Sequence, residues 1–171
     1  MTADWPLAWT ALGLDIGRVI IDPRDPGGAP DTGFLAGDHD GAMAVQPADG
    51  AIEVTSDLVR RAAGRVWLVS KAGPRIERRT RDWLEHHAFC ARTGLDPTHL
   101  RFCRERADKR GICEALAIDA FVDDRADVLA AMAGAVAHRL LYGPDAAAHA
   151  DPALVCVRDW RDVRAALLGP R

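Results

Sequence analysis

The stretch Leu12-Gly-Leu-Asp-Ile-Gly-Arg-Val-Ile-Ile21 decides the fold of this chain. It is an apolar run of β-strand character interrupted by a carboxylate, Asp15, and by a glycine, Gly17. Strands rich in Leu, Ile and Val are buried on both faces of a parallel sheet, so an Asp at the carboxyl end faces the crevice where such sheets bind ligands. Gly17 predicts a tight turn that a ligand can approach closely. A strand-end Asp can also simply begin a turn, and the rest of the chain has to decide between the two interpretations.

The composition predicts one domain over residues 1–171, with its core at about 10–22 and 51–168. Hydrophobic residues make up 49% of the chain and charged residues 27%, which is typical of globular proteins. The net charge of −3 argues against general nucleic-acid binding, which normally requires a basic excess. Small anionic substrates remain compatible with a local basic pocket.

The four cysteines predict a reduced, cytoplasmic protein. Cys90, Cys103, Cys113 and Cys156 lie in or beside apolar segments and show no CxxC or zinc-type spacing. No apolar run approaches the ~18 residues of a membrane span, and the amino terminus does not resemble a signal peptide. We therefore expect no membrane association.

Apolar runs alternate with helical patterns along the chain. Strands are predicted at about 10–16, 65–69, 100–103, 120–122, 138–142 and 154–157, and helices at about 57–63, 75–87, 109–117, 127–133 and 160–168. Thr55 or Ser56 is the expected cap of the first helix, and Asp108 that of the third. This alternation predicts an α/β fold: a doubly wound, Rossmann-like parallel sheet with helices on both faces.

Residues 23–50 interrupt this alternation. The segment is rich in Pro and Gly and lacks a helical period, which predicts a loop or small hairpin flap over the crevice in place of a large cap. Its Asp38-His39-Asp40 triplet is interpreted as a solvated turn, because three adjacent residues rarely converge on one metal ion.

Lysine is scarce: of 22 basic residues only Lys71 and Lys109 are lysines. A compact ammonium suits a phosphate or carboxylate in a tight pocket. Lys71 follows Ser70 at the end of the second predicted strand, just before a helix that opens on Pro74. We expect an anion to bind where the Ser70 hydroxyl, the Lys71 ammonium and the free N–H groups at the start of that helix meet. The alternative is that Ser70 only caps the helix and that Lys71 is solvated.

The pair Asp123-Asp124 is the clearest sign of a site. Two adjacent carboxylates at a buried strand end repel each other unless a cation neutralises them. His86 and His87, by contrast, close a helix, where the helix dipole favours positive charge, and the arginines of 75–81 suggest a solvated helix face.

In order along the chain, Asp15, Ser70, Lys109 and the ending Phe121-Val122-Asp123-Asp124-Arg125 resemble the motifs of the haloacid dehalogenase-like (HAD) superfamily. The similarity covers about 13–143 and is greatest to the small phosphatases of the 5′-deoxynucleotidase-like branch. Response-regulator receivers share such motifs but have the acidic pair after the first strand, which is the wrong order here.

The resemblance implies that Asp15 is a nucleophile that becomes a transient aspartyl phosphate. Ser70 would then hydrogen-bond a phosphoryl oxygen, and Lys109 would neutralise the nucleophile and the transferring group. Lys71 is a second expected phosphate contact, and the Gly17 backbone would border the substrate. The expected substrate is a small phosphorylated molecule.

The resemblance also implies Mg²⁺ as the cofactor. The Asp15 carboxylate, the Gly17 backbone carbonyl and Asp124 would bind the ion, with Asp123 orienting a bound water or Lys109. An oxygen-only shell completed by water and a substrate phosphate suits Mg²⁺.

The chain departs from the family at Gly17, where the phosphatases carry the Asp that serves as general acid and base. Loss of that group costs about 10² to 10⁴ in rate. The protein is therefore expected to act on good leaving groups, to use Asp22, Asp38 or Asp40 instead, or not to hydrolyse. In the last case it is a pseudoenzyme that binds a phosphorylated ligand, or a protein partner through the 23–50 segment or the 75–81 face.

Overall fold

Six parallel strands form one sheet in the computed structural model, which describes residues 5–22, 32–149 and 151–169. The strands are β1 (Leu12–Leu14), β2 (Val66–Lys71), β3 (Leu100–Cys103), β4 (Ala120–Asp123), β5 (His138–Tyr142) and β6 (Val155–Val157). All described pairs are parallel, in the order β3-β2-β1-β4-β5-β6. In this topology the strand order reverses between β1 and β4, and ligands bind beyond the carboxyl ends of the strands at that point.

Eight α-helices accompany the strands within the described ranges. They are α1 (Thr32–Ala36), α2 (His39–Ala44), α3 (Ala51–Arg61), α4 (Pro74–His86), α5 (Phe89–Thr93), α6 (Asp108–Ala115), α7 (Ala126–Ala131) and α8 (Trp160–Leu168). Short 3-10 turns lie at Pro97–His99 and Ala146–Ala148. No helix in the described part of the chain is both long and apolar enough to cross a membrane.

Hydrophobic cores cover both faces of the sheet, which confirms the doubly wound, Rossmann-like prediction. Leu12 and Leu14 point to the face covered by α3, α4, α5 and α8, where Trp83 and Trp160 are fully buried. Phe121 points to the opposite face, against α6 and α7. The alternation follows from the period of two in a strand, and it assigns Lys109 to the Phe121 face because α6 lies there.

The 23–50 segment is partly helical, so the prediction of a loop or hairpin is wrong where the structure describes it. Helices α1 and α2 occupy most of 32–44, and the Asp38 side chain accepts a hydrogen bond from the Gly41 amide (2.7 Å) that caps α2. An antiparallel bridge joins Ile21 to Pro47. Residues 23–31 lie outside the described residues.

Helix α3 begins at Ala51, six residues before the predicted start, and neither Thr55 nor Ser56 caps it. Thr55 is fully buried within the helix, and Gly50 is the residue before its first turn. Buried positions such as Ile52, Thr55 and Val59 recur at helical spacing, so the sequence does contain the periodicity of this helix. These three residues are β-branched and have a low helix propensity, which is why the earlier start was not predicted.

One smaller prediction, the cap at Asp108, is wrong, and one short helix was not predicted. Asp108 is the first residue of α6 rather than its cap, and its carboxylate accepts a hydrogen bond from the Glu105 amide at 3.1 Å. Helix α5, a five-residue helix between left-handed Ala88 and Gly94, was not predicted. The four cysteines are free, with Cys103 and Cys113 buried.

Candidate active site

The first acidic residue of the site, Asp15, lies at the carboxyl edge of the sheet directly after β1. The Leu14–Val122 register places Asp15 level with Asp123 on the neighbouring strand, and the Asp15 amide donates to the Val122 carbonyl oxygen at 2.9 Å. Because neighbouring parallel strands are in register, both carboxylates project to the face that α6 covers. The two strand-end carboxylates singled out in the sequence therefore lie together.

Lys109 connects these carboxylates from the first turn of α6. Only 2% of its surface is exposed, and its Nζ lies 3.0 Å from Asp15 Oδ1 and 2.7 Å from Asp123 Oδ2. The ammonium also lies 5.6 Å from the centre of the Phe121 ring, within cation–π range. Of the two lysines, this one is held between two carboxylates.

The ionisation of the group follows from burial and crowding. Burial opposes the charged form of Lys109, but the carboxylates of Asp15 and Asp123 outweigh it and raise the pKa of Lys109. Burial, reinforced by the charge of Asp15, raises the pKa of Asp123 to about 7 despite Lys109. Burial and Asp15 likewise raise the pKa of Asp124, against the opposing effect of Arg18. Three crowded carboxylates thus favour the arrival of a further cation.

The donor set of this cluster fits Mg²⁺. Asp15, Asp123 and Asp124 each offer an oxygen within 4.8 Å of the others. Asp15 Oδ1 is buried and, although paired with Lys109, accepts no well-aligned hydrogen bond. An oxygen-only set of three closely spaced carboxylates suits a hard divalent cation.

The three carboxylates are not equivalent. Asp123 is fully buried, with Oδ2 on Lys109 and Oδ1 accepting from the Arg125 amide at 2.9 Å. Both of its oxygens are engaged, so Asp123 holds Lys109 in place. Asp15 and Asp124 both line the cleft described below, and they are the carboxylates that can reach an ion there.

The backbone at Gly17 differs from the sequence interpretation. Its φ is not in the left-handed region; the next residue, Arg18, has φ 63° instead. A Cβ on Gly17 would meet no atom within 4 Å, so space does not require glycine either. The predicted tight turn is present, since the Ile16 carbonyl oxygen accepts a hydrogen bond from the Ile20 amide at 3.0 Å, but it does not require glycine at position 17, where a side chain would fit.

Arg18 is a residue of the site that the sequence analysis did not use. Its Nε lies 3.3 Å from Asp124 Oδ2, and its side chain is half exposed. It lines the cleft beside Gly17. The signal available in the sequence was only its place in the Asp-Ile-Gly-Arg stretch.

Ser70 and Lys71, at the end of β2, lie in the same cleft. Ser70 is 8% exposed and Lys71 is exposed. The expected convergence with the start of α4 is only partly seen, because Ile76 and Thr80 of this helix line the cleft whereas Gly73 and Pro74 do not. No side chain caps α4.

The cleft, about 210 Å³ in volume, is lined by an excess of basic side chains. Two carboxylates, Asp15 and Asp124, line it together with five basic side chains. The basic residues are Arg18, Lys71, Arg106, Lys109 and Arg125. A chain with a net charge of −3 thus has a locally positive cleft, which attracts small anions.

Apolar side chains also line the cleft, and two of them belong to the 23–50 segment. Phe34 and Leu35 of α1 line it, so the expectation that this segment borders the crevice agrees with its described part. The candidate replacement acids do not contribute, since Asp22, Asp38 and Asp40 are not among the residues of the cleft wall.

The arginines of α4 have internal partners. Arg79 Nη1 donates to the Phe34 carbonyl oxygen at 2.7 Å, and Arg75 Nη2 to that of Leu35 at 3.3 Å. Arg81 pairs with Glu77 at 3.0 Å. Arg75 and Arg81 are exposed, which agrees with the predicted solvated face, whereas Arg79 is half-buried and joins α4 to α1.

His87 has a structural place at the end of α4. Its Nε2 lies 3.0 Å from the Met43 carbonyl oxygen, and its ring packs against Trp83. Burial lowers its pKa. Neither His86 nor His87 lines the cleft.

Comparisons with known proteins add little. No protein-family model and no curated protein matches the chain. Among solved structures, a provisionally named haloacid dehalogenase-like hydrolase from Burkholderia xenovorans LB400 aligns with 88% of this chain and 96% of its own, at 10% identity and a TM-score of 0.49. A similarity at this level carries no argument about activity.

Proposed function

We propose that this protein is a Mg²⁺-dependent phosphoryl-transfer hydrolase, a phosphatase-like member of the HAD-like superfamily. The observation that carries the proposal is the contact of Lys109 with Asp15 and Asp123 at the carboxyl edge of the sheet, with Asp124 beside them. Phosphoryl transfer through a covalent intermediate on a carboxylate uses three groups: the nucleophilic carboxylate, a buried ammonium and a carboxylate that can bind a metal ion.

The chain's own residues divide the work as follows. Asp15 attacks phosphorus, and Lys109, held by Asp123, compensates the charge that accumulates between nucleophile and phosphoryl group. Ser70 and Lys71 bind phosphoryl oxygens. Mg²⁺, held by Asp15, Asp124 and the Gly17 carbonyl, would supply further charge neutralisation and orientation.

The reaction balances in two displacements. A bond forms between an Asp15 oxygen and phosphorus while the bond from phosphorus to the leaving oxygen breaks, its electron pair departing with the leaving group. Water then attacks the acyl phosphate, which releases inorganic phosphate and a proton and restores the Asp15 carboxylate.

The absence of an acid at position 17 limits the substrates. Among the described residues, Asp22, Asp38 and Asp40 contribute no carboxylate to the cleft wall, and an alkoxide that leaves without a proton leaves slowly. Acyl phosphates, aryl phosphates and anhydrides have leaving groups stable as anions. We therefore assign the activity to substrates of this kind.

The test is hydrolysis of 4-nitrophenyl phosphate and acetyl phosphate with and without Mg²⁺. Wild-type protein should hydrolyse at least one of them with Mg²⁺, and Asp15→Asn should abolish turnover. The matched control is Asp22→Asn, a carboxylate outside the cleft wall that should retain turnover. Activity that survives in Asp15→Asn would refute the nucleophile.

The second candidate is a protein that binds phosphorylated ligands without turnover, and Gly17 favours it because a catalytic group of the family is missing. Binding raises the thermal midpoint whether or not turnover occurs. Stabilisation by Mg²⁺ and phosphate without hydrolysis would select this function. Stabilisation by neither would refute the site in both forms.

A further inference from the structure

The lining of the cleft combines basic residues with apolar residues, Phe34, Leu35 and Ile76 among them, that the reaction itself does not require. We propose that it selects phosphorylated compounds whose leaving group has an apolar, ring-sized surface, and that Leu35 is the residue that recognises this group. This inference rests on the proposed function and specifies its substrate class.

Leu35 is the main observation. At 42% exposure it is one of two large hydrophobic side chains strongly exposed in the described part of the chain; the other, Trp5, lies outside the cleft wall. A single exposed Leu needs no explanation on an ordinary surface. Leu35, however, lines the cleft together with Phe34 and Ile76, so its exposed surface is available to a molecule bound there.

The backbone that presents Leu35 is fixed rather than loose. Phe34 is buried in the core, and Arg79 and Arg75 donate to the carbonyl oxygens of Phe34 and Leu35. Both arginines belong to α4, the helix that follows Ser70 and Lys71. Helix α4 therefore follows Ser70 and Lys71 in the chain and is hydrogen-bonded to the backbone of Phe34 and Leu35. These contacts limit the distance between the two pairs of residues.

The geometry of displacement supports this assignment to the leaving group. The leaving oxygen departs opposite the attacking carboxylate of Asp15, which follows β1 at the carboxyl edge of the sheet. Phe34 and Leu35 of α1 line the same cleft as Asp15, and we place the leaving group against them. A ring-sized group there removes Leu35 from water.

The same class of leaving group also suits Gly17. An aryloxide is stable without protonation, so its departure does not need the missing acid. Two independent features, the apolar wall and the absent carboxylate, therefore point to one substrate chemistry.

The experiment uses phosphonates, which cannot be hydrolysed, so binding is measured without turnover. Phenylphosphonate and methylphosphonate are titrated by calorimetry into the full chain with Mg²⁺. Wild-type protein should bind phenylphosphonate about tenfold more tightly. Leu35→Ser should lower the affinity for phenylphosphonate about fivefold and leave the affinity for methylphosphonate unchanged.

Two controls accompany this variant. Leu35→Met keeps an apolar side chain and should keep the preference for the phenyl group, and Trp5→Ser removes the other exposed hydrophobic residue and should change neither affinity. If Leu35→Ser lowers the affinity for both ligands equally, or for neither, the inference is overturned, whereas the proposed phosphate site is not affected. If wild-type protein binds neither ligand, the proposed function fails as well.

Discussion

The ammonium of Lys109 lies 2.7 Å from Asp123 Oδ2, and both side chains are withdrawn from solvent. A buried pair is costly to break from one side, because the remaining charge loses its partner. We expect Lys109→Met to lower the free energy of unfolding by about 3–5 kcal/mol. Chemical denaturation should show that Lys109→Met/Asp123→Asn is less destabilised than the sum of the single variants, and strict additivity would contradict the coupling.

Gly17 offers a gain-of-function test. Since a Cβ there meets no atom within 4 Å and the φ is ordinary, Gly17→Asp should fold normally. A carboxylate in this position would supply the missing acid and base and should raise hydrolysis of an alkyl phosphate ester about 10²-fold or more. Gly17→Asn has the same size without the acid and should not raise it. An unchanged rate in folded, Mg²⁺-binding Gly17→Asp would contradict this explanation of weak turnover.

Arg18 competes with a metal ion for Asp124. Removing the guanidinium in Arg18→Ala should lower the Mg²⁺ dissociation constant by up to about fivefold, as expected for a half-exposed ion pair. Arg158→Ala, which removes an exposed arginine paired with Asp162, should leave Mg²⁺ binding unchanged. Weaker Mg²⁺ binding in Arg18→Ala would mean that Arg18 supports the ion.

Arg18 has a φ of 63°, in the left-handed region. The effect of this backbone strain on stability can be distinguished from the effect of losing the Arg18 charge. Glycine adopts this region freely, whereas alanine does not. Arg18→Gly should therefore be about 1 kcal/mol more stable than Arg18→Ala in thermal or chemical denaturation, although both lose the same side chain. Equal stabilities would show that this conformation carries no strain.

Gly13 makes room for the aromatic ring under Lys109. A Cβ at position 13 would overlap the Phe121 ring, whose centre lies 5.6 Å from the Lys109 ammonium. We expect Gly13→Ala to lower the free energy of unfolding by about 1–3 kcal/mol. Adding Phe121→Leu should restore part of this loss. If Gly13→Ala alone is neutral, the packing of β1 on Phe121 is looser than described.

Asp119 stabilises the opposite edge of the sheet in a pH-dependent manner. Burial opposes its charged form, but hydrogen bonds from the Ala11 amide at 2.9 Å and from Thr10 outweigh it and lower the pKa of Asp119. Its contribution is therefore complete above the unfolded pKa, about 3.8, and is lost as the pH falls through the lower folded value.

We expect Asp119→Asn to be about 1–2 kcal/mol less stable than wild type at pH 7, with a smaller difference below about pH 4. Glu85→Gln, on the exposed face of α4, is the control. Urea denaturation at several pH values would measure both. A stability difference between Asp119→Asn and wild type that increases as the pH falls would contradict the predicted pH dependence.

The sequence by itself determined the layered fold and the bounds of some elements, whereas β1 is shorter than the predicted 10–16 and β2 extends beyond the predicted 65–69 to Lys71. The period of apolar residues is a local property, so β3, β5 and α8 begin and end where predicted. Ser70, Lys71 and Asp15 were found because polar residues at the ends of buried strands share one edge of a parallel sheet. Helices α1, α2 and α5 were missed, because short helices depend more on tertiary contacts than on their own pattern.

Only the tertiary structure decided the distances within the site. The contact of Lys109 with both Asp15 and Asp123 depends on the register of β1 with β4 and on how α6 packs against that face. The same holds for Arg18 on Asp124 and for Leu35 in the cleft wall, whose neighbours are distant in the chain. A local pattern gives a residue its element and its face, whereas its partners follow from packing between elements, and local periodicity does not encode that packing.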